Sequence, residues 1–415
     1  MALEITTSAP DAALLDLPWH IPLAEWPDDL LAALPRGISR HVVRFVRLSG
    51  RVVAVKEIKA DIARREYQLL RNLRRLELPC VEPYAVVAGR ESATGEPLDA
   101  CLITVHLPFS LPYRALFSQS LRKGTAIRLI DALAVLLVRL HLDGFWWGDV
   151  SLSNTLFRRD AGAFAAYLVD AETGELHAGL SRGQREHDLD IARVNIAGEL
   201  MDLEAGGLLQ EERDPIEVSE RIVERYHALW EALTGPERVA AGERWRVDER
   251  IRRLNRLGFD VDELTMTTDI DGTTVTIAPK VVDSGHHSRR LLRLTGLDVR
   301  ENQARRLLND LDSYRAATDR GADDEELVAH DWVEQIYAPF VRSIPAPLRA
   351  KLEPAQLFHE LLEHRWYLAE RAQHDIPIGE AWADYLAKIL PTKPDERAVV
   401  GTDTVEMPVL ALPDA

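Results

Sequence analysis

LHLDGFWWGDVSLSNTLF, residues 140–157, places Asp149 and Asn154 on a short polar loop between two apolar flanks. Before it, Gly124 to Asp143 is apolar on most faces, the pattern of a helix buried inside a helical lobe. After it, Thr155-Leu156-Phe157 and Tyr167-Leu168-Val169 read as two short strands joined by the turn Arg158-Arg159-Asp160-Ala161-Gly162. Such a hairpin returns the chain to its starting end, so Asp170 is expected beside Asn154. The D-x-x-x-x-N spacing alone recurs by chance. A buried helix before it, a hairpin after it and an Asp closing that hairpin make the pattern specific.

Working back towards the N-terminus, HVVRFVRL and RVVAVKEI are β-rich runs meeting at Ser49-Gly50, a hairpin turn. Asp61 is expected to cap a helix bearing Ile62, Leu69, Leu70, Leu73 and Leu76. Two further strands, around Tyr84 to Val87 and Ala100 to Val105, complete a small sheet with one helix against it. Lys56 shares a strand face with Val52, Ala54 and Ile58, where a lone charge is costly. Glu66 lies on the helix stripe of Ile62, Leu69 and Leu73, with the same problem. Pairing the two solves both.

A cation on an apolar face, a carboxylate to orient it, oxygen ligands for a metal and an Asp facing a hydroxyl are the requirements of phosphoryl transfer. Here they occur in that order. The pattern of His141, Gly144, Asp149 and Asn154 makes residues 36–235 resemble the protein-kinase-like superfamily. The likeness is nearest its lipopolysaccharide-kinase (Kdo kinase/WaaP-like) and aminoglycoside-phosphotransferase-like branches. The whole chain resembles a bacterial family joining such a lobe to a C-terminal domain of unknown function. The resemblance implies an ATP- and Mg²⁺-dependent phosphotransferase. In it Lys56 holds phosphates, Glu66 pairs with Lys56, Asp149 is the catalytic Asp, and Asn154 and Asp170 bind Mg²⁺. The acceptor would be a hydroxyl on a small molecule, glycan or protein.

The chain departs from the pattern in four places. LPRGISRHVV offers only Gly37 for a phosphate-covering loop, with Arg36 or Arg40 as substitutes. Trp147 stands where relatives carry His. Ala171-Glu172 replaces Phe-Gly after Asp170, and no A-P-E motif follows. In HDLDIA, Asp188 or Asp190 is a candidate brace for the loop, and His141 itself a brace for the fold.

The expected architecture is α+β. An N-terminal arm (1–35), extended with at most a short helical turn, precedes a kinase-like N-lobe (36–108) and C-lobe (109–235). A mainly helical C-terminal domain with a β-hairpin (242–392) and a flexible tail (393–415) follow. Asp271-Gly272 is the strongest hairpin turn signal in the chain. GHHSRRLLRLTGLDVRENQARRLLNDLDSYR, residues 285–315, has the outline of a helix-turn-helix with Arg289, Arg290, Arg293, Arg300, Arg305 and Arg306. It opens a second reading, a nucleic-acid-binding regulator, against a helical hairpin that packs on the kinase lobe. A third reading is a pseudokinase acting through protein partners of the C-terminal domain.

Bulk properties narrow the field. A net charge of −17 opposes a general affinity for nucleic acid or anionic membrane. No apolar run approaches the roughly 18 residues of a membrane span, and nothing at the N-terminus resembles a secretory signal, so a cytoplasmic protein is expected. Cys80 and Cys101 are too few for a disulfide framework. Only seven of fifty basic residues are lysines, which makes Lys56 more informative. Gly179-Leu-Ser181-Arg-Gly183 matches a hydrolase elbow but lacks its preceding strand. His359 and His364 in HELLEH are one residue too far apart to share a helix face, and His286-His287 suits an exposed helix start.

Overall fold

The protein is described by a computed structural model covering residues 2–32, 41–118, 124–208, 214–240, 243, 245–268 and 274–397. Its first layer is an antiparallel sheet of β1 (Glu4–Thr7), β2 (Val42–Leu48), β3 (Arg51–Ile58), β4 (Glu82–Ala88) and β5 (Ala100–Val105), ordered β1-β4-β5-β3-β2. Ser49 and Gly50 join β2 to β3 with φ of 47° and 78°. That left-handed pair matches strand twist in a two-residue turn. Helix α1 (Ala60–Arg75) covers one face of the sheet through Ala63, Tyr67, Leu70 and Leu73. It starts one residue before Asp61 with Lys59 at the N-cap, so Asp61 favours the helix through its charge in the first turn and not as the expected cap.

The opposite face corrects the expectation of an extended arm. Leu14, Leu17, Trp19, Leu23 and Trp26 are buried against Val53, Val55, Val87 and Ile103, as a second layer of short 3₁₀ turns. β1 meanwhile extends the sheet beyond β4, pairing Ile5 with Val87. Arg90 ties this layer down. Its buried guanidinium donates to the Trp19 and Ile21 carbonyls at 3.0 and 2.6 Å and to Glu57 at 2.6 Å.

The second lobe contains β6 (Leu111–Pro112), α2 (Tyr113–Ser118), α3 (Thr125–Leu142), β7 (Phe145–Trp146), β8 (Thr155–Asp160), β9 (Ala163–Leu168), β10 (Glu175–Leu176), α4 (Arg182–Ala205) and α5 (Pro215–Thr234). Helix α3 is the buried helix expected from the sequence, enclosed by α5 and β9. β8 and β9 pair in register from Thr155↔Leu168 to Asp160↔Ala163.

In the C-terminal region β11 (Glu237–Ala240), β12 (Phe259–Thr268) and β13 (Thr274–Ser284) form a sheet beside α6 (Trp245–Arg256). The Asp271-Gly272 turn lies outside the described residues. Helices follow: α7 (His286–Thr295), α8 (Glu301–Ala317), α9 (Glu325–Trp332), a π-helical turn at Val333–Tyr337, α10 (Ala338–Ser343), α11 (Pro354–Ala372) and α12 (Ile378–Lys388). They enclose their own core around Leu307, Leu311, Trp332, Phe358 and Tyr385. Residues 393–397, expected in the flexible tail, pack on this region through Lys393–Glu360 at 2.8 Å and on β8 of the second lobe through Glu396–Arg159 at 2.6 Å. Residues 398–415 lie outside the described residues. Among the described residues no helix is long and apolar enough to cross a membrane.

Candidate active site

The alternation of β3 puts Val53 and Val55 in one layer and Lys56 on the other side, towards α1 and the second lobe. There Lys56 Nζ meets three carboxylates: Asp170 at 2.8 Å, Glu66 at 3.2 Å and Glu172 at 3.2 Å. The sequence pairing of Lys56 with Glu66 is present, and Asp170 arrives from 114 residues away. Glu66 also accepts from the Ala171 N–H at 3.3 Å, and the Glu172 N–H closes onto Asp170 Oδ1 at 2.9 Å.

Three carboxylates around one ammonium set the electrostatics. They hold the Lys56 proton well above the ordinary lysine range against the opposing effect of burial. Glu66, 1% exposed, is pushed up to about 7 by burial, with the charge of Asp170 adding to the shift and Lys56 only partly offsetting it. Glu66, Asp170 and Glu172 present oxygens within 4.8 Å of one another.

The loop before β8 is organised by carboxylates from α4. Asp188, fully buried, accepts from the Trp147 and Gly148 N–H groups at 2.8 and 2.7 Å and bonds His141 Nε2 at 3.1 Å. Burial lowers the His141 pKa. Its Nδ1 meets the Tyr226 hydroxyl at 2.8 Å. Of the two brace candidates, Asp188 takes the position, while Asp190 is exposed. Glu199 accepts from the Leu152 and Ser153 N–H groups at 2.8 Å each.

Asn154 Nδ2 donates to the Asp149 carboxylate at 2.9 Å and to the Asp149 carbonyl at 3.0 Å. Asn195 donates to the Val150 carbonyl at 3.1 Å and reaches Asp149 Oδ1 at 3.4 Å. The strand carrying Asp170 is tied to Asn154 by the Val169 N–H to Asn154 carbonyl bond at 3.1 Å. Trp147, in the place of the relatives' His, is fully buried and donates through Nε1 to the Asp170 carbonyl at 2.9 Å. Gly144 permits the approach of the segment after Asp170, since a Cβ there would stand 2.2 Å from the His177 carbonyl oxygen.

Lys56, Glu66 and Asp170 therefore converge, and Asn154 is turned to Asp149. Three residues were missed: Asn195, Glu199 and Glu172. Asp188, Asn195 and Glu199 fall seven and four apart, a helical stripe that could have flagged the last two. Glu172, noted only as a departure after Asp170, reaches Lys56 and also His41 at 3.2 Å. Gly37, Arg36 and Arg40 lie outside the described residues.

The remaining signals have local roles. Ser181 caps α4 with Gln184 in a reciprocal capping box. His286 pairs with Asp260 and His287 with Glu301. His364 meets Asp384, while His359 is buried on α11. Within 285–315, Arg289 is engaged by Asp260 and Asp283, Arg290 by Glu325, and Arg300 by Glu353 and the Arg159 carbonyl. These pairings are those of a helical hairpin packed on its neighbours.

Sheet lobe, helical lobe and the ion cluster between them define the class, a bilobal protein-kinase-like fold with a largely helical C-terminal region. Residues 48–198 match the Lipopolysaccharide kinase (Kdo/WaaP) family, and residues 228–390 match a domain of unknown function, DUF4032. Both parts of the resemblance drawn from the sequence are thereby found. Among solved structures, "WaaP in complex with acyl carrier protein" matches at 15% identity over 62% of this chain and 99% of that one. Its TM-score is 0.35. No curated protein matches the chain.

Proposed function

We propose that this protein is an ATP- and Mg²⁺-dependent phosphotransferase acting on a hydroxyl acceptor. The observation that carries the reading is the meeting of Lys56, Glu66 and Asp170 from three separate elements at one point between the lobes. A structural ion pair needs two partners, whereas three carboxylates around one lysine leave negative charge that a divalent cation neutralises. The donor set, all hard oxygens, suits Mg²⁺, which would be held by Asp170 and Asn154 and would neutralise charge developing on the transferred phosphoryl group. Lys56 exchanges carboxylate partners for nucleotide phosphate oxygens, with Glu66 keeping it oriented. Asp149 aligns the acceptor hydroxyl and takes its proton as the new O–P bond forms and ADP leaves. The acceptor belongs to a small molecule, a glycan or a protein, and a cytoplasmic setting supplies the nucleotide.

Thermal denaturation with and without ATP–Mg²⁺ tests this. Wild type should be stabilised in a Mg²⁺-dependent way and Asp170→Ala should not; absence of that stabilisation in wild type rejects the reading. Turnover should drop by at least about a hundredfold in Asp149→Asn, and turnover unchanged by that substitution rejects the role of Asp149. One observation favours a second reading, a nucleotide-binding regulatory module without turnover. Lys56 is already saturated by three carboxylates. Mg²⁺–ATP binding with no phosphate release against any hydroxyl acceptor would select it.

A further inference from the structure

The turn joining β8 to β9 is held by the C-terminal region through a borrowed helix cap. Helix α8 starts after Arg300, which has no side-chain oxygen and makes no side-chain cap bond. The amides ordinarily satisfied by an N-cap oxygen are those of the second and third helical residues. Here the Asn302 and Gln303 N–H groups donate to the Asp160 carboxylate at 3.2 and 2.8 Å, and Asn302 Nδ2 adds a third bond at 2.9 Å. Asp160, 3% exposed, thus caps a helix 142 residues away. Around it the Arg159 carbonyl accepts from Arg300 Nε at 2.8 Å and Gln303 Nε2 at 3.1 Å, and the Ala161 N–H donates to Gln356 at 3.0 Å. Arg158 reaches Glu353 and Arg159 reaches Glu396, both at 2.6 Å.

The same hairpin begins immediately after Asn154 and ends two residues before Asp170. Six paired positions separate the clasped turn from those residues, a lever of about 20 Å at ~3.3 Å per residue. Its base is closed by the Val169–Asn154 bond. A paired two-stranded ribbon bends less readily than a loop, so fixing its tip fixes the register and direction of its base.

We infer that Asp160 is a positioning residue: by capping α8 it lets the C-terminal region set the placement of Asn154 and Asp170. The inference rests on the phosphotransferase reading for its consequence, since those two residues are the proposed metal ligands. Its mechanical part stands on the contacts alone.

The test uses the full chain with Asp160→Asn and, from the other side of the contact, Asn302→Ala, which removes one donor and leaves the carboxylate. Amide hydrogen exchange is read at Val169 and Thr155, and the Mg²⁺ concentration giving half-maximal ATP binding is read by titration. Both variants should speed Val169 exchange and raise the Mg²⁺ requirement by about threefold, less than the roughly tenfold or larger loss of a partner bonded directly to a metal ligand, because Asp160 acts from the far end of the hairpin. ATP binding without Mg²⁺ should not change. Faster exchange confined to Ala161–Ala163, with an unchanged Mg²⁺ requirement, overturns the inference and leaves the contact as a domain fastening. If wild type binds no Mg²⁺–ATP, the phosphotransferase reading fails, and exchange at Val169 still decides the coupling. If Asp160→Asn does not fold, Asn302→Ala decides it.

Discussion

The two ends of the β8–β9 hairpin use one device in opposite directions. At the base, the loop Trp147–Ser153 receives carboxylates: Asp188 and Glu199 reach across from α4 and collect its N–H groups. At the tip, the hairpin gives a carboxylate away, and Asp160 collects the first amides of α8. The base is therefore secured wholly within the kinase-like lobe. The tip makes that lobe and the C-terminal region depend on one another. The loop that carries Asp149 is fixed locally, whereas the strand that leads to Asp170 is open to influence from outside the lobe.

Removing each carboxylate tests this asymmetry. Asp188→Ala strands two buried N–H groups and His141 together, and should cost about 3–5 kcal/mol in urea denaturation, the range for breaking a buried charged network. A loss below about 1 kcal/mol would mean that the loop organises itself. Asp160→Ala should cost about 2–3 kcal/mol, less because it borders an interdomain cavity of about 510 Å³ whose water can replace the lost acceptor. A loss as large as that of Asp188→Ala would erase the difference between the two ends. The last effect is read against pH and concerns Glu66, whose folded-state pKa of about 7 exceeds the ordinary 4.5. Between those values the folded chain holds a proton that the unfolded chain has released. This contribution to stability is thus full below pH 4.5 and lost as pH rises through 7. Wild type should lose more stability than Glu66→Gln between pH 5 and 8. Equal losses would mean that Lys56 keeps Glu66 ionised throughout.

Legibility in the sequence follows the same division. Asp149 and Asn154 are readable because a loop of fixed length carries both. Lys56 and Glu66 are readable because charges on apolar faces violate the periodicity around them. Asp188 was reachable as a brace because it follows the loop within the same lobe. Asp160 was not, since an Asp between Arg159 and Ala161-Gly162 is ordinary turn chemistry, and nothing local signals a helix amide 142 residues on. The poor capping residue Arg300 was the other half of that signal, and it reads equally well as surface charge. The N-terminal layer escaped for a different reason. Its anchors Leu14, Leu17, Trp19, Leu23 and Trp26 sit in or beside short 3₁₀ turns among prolines, with neither the 2.0 nor the 3.6 period on which pattern reading depends.

Arg90 carries a consequence for anyone dissecting the chain. Its guanidinium is satisfied by the Trp19 and Ile21 carbonyls, supplied by residues that precede the matched kinase-family segment at 48–198. A fragment cut to that segment would keep the arginine and lose two of its acceptors and the tryptophans covering it. What remained would be a sheet with one wet face and a half-satisfied cation in its middle. Fragments that keep both faces and this edge of the sheet covered must reach back to Glu4, where β1 pairs along β4.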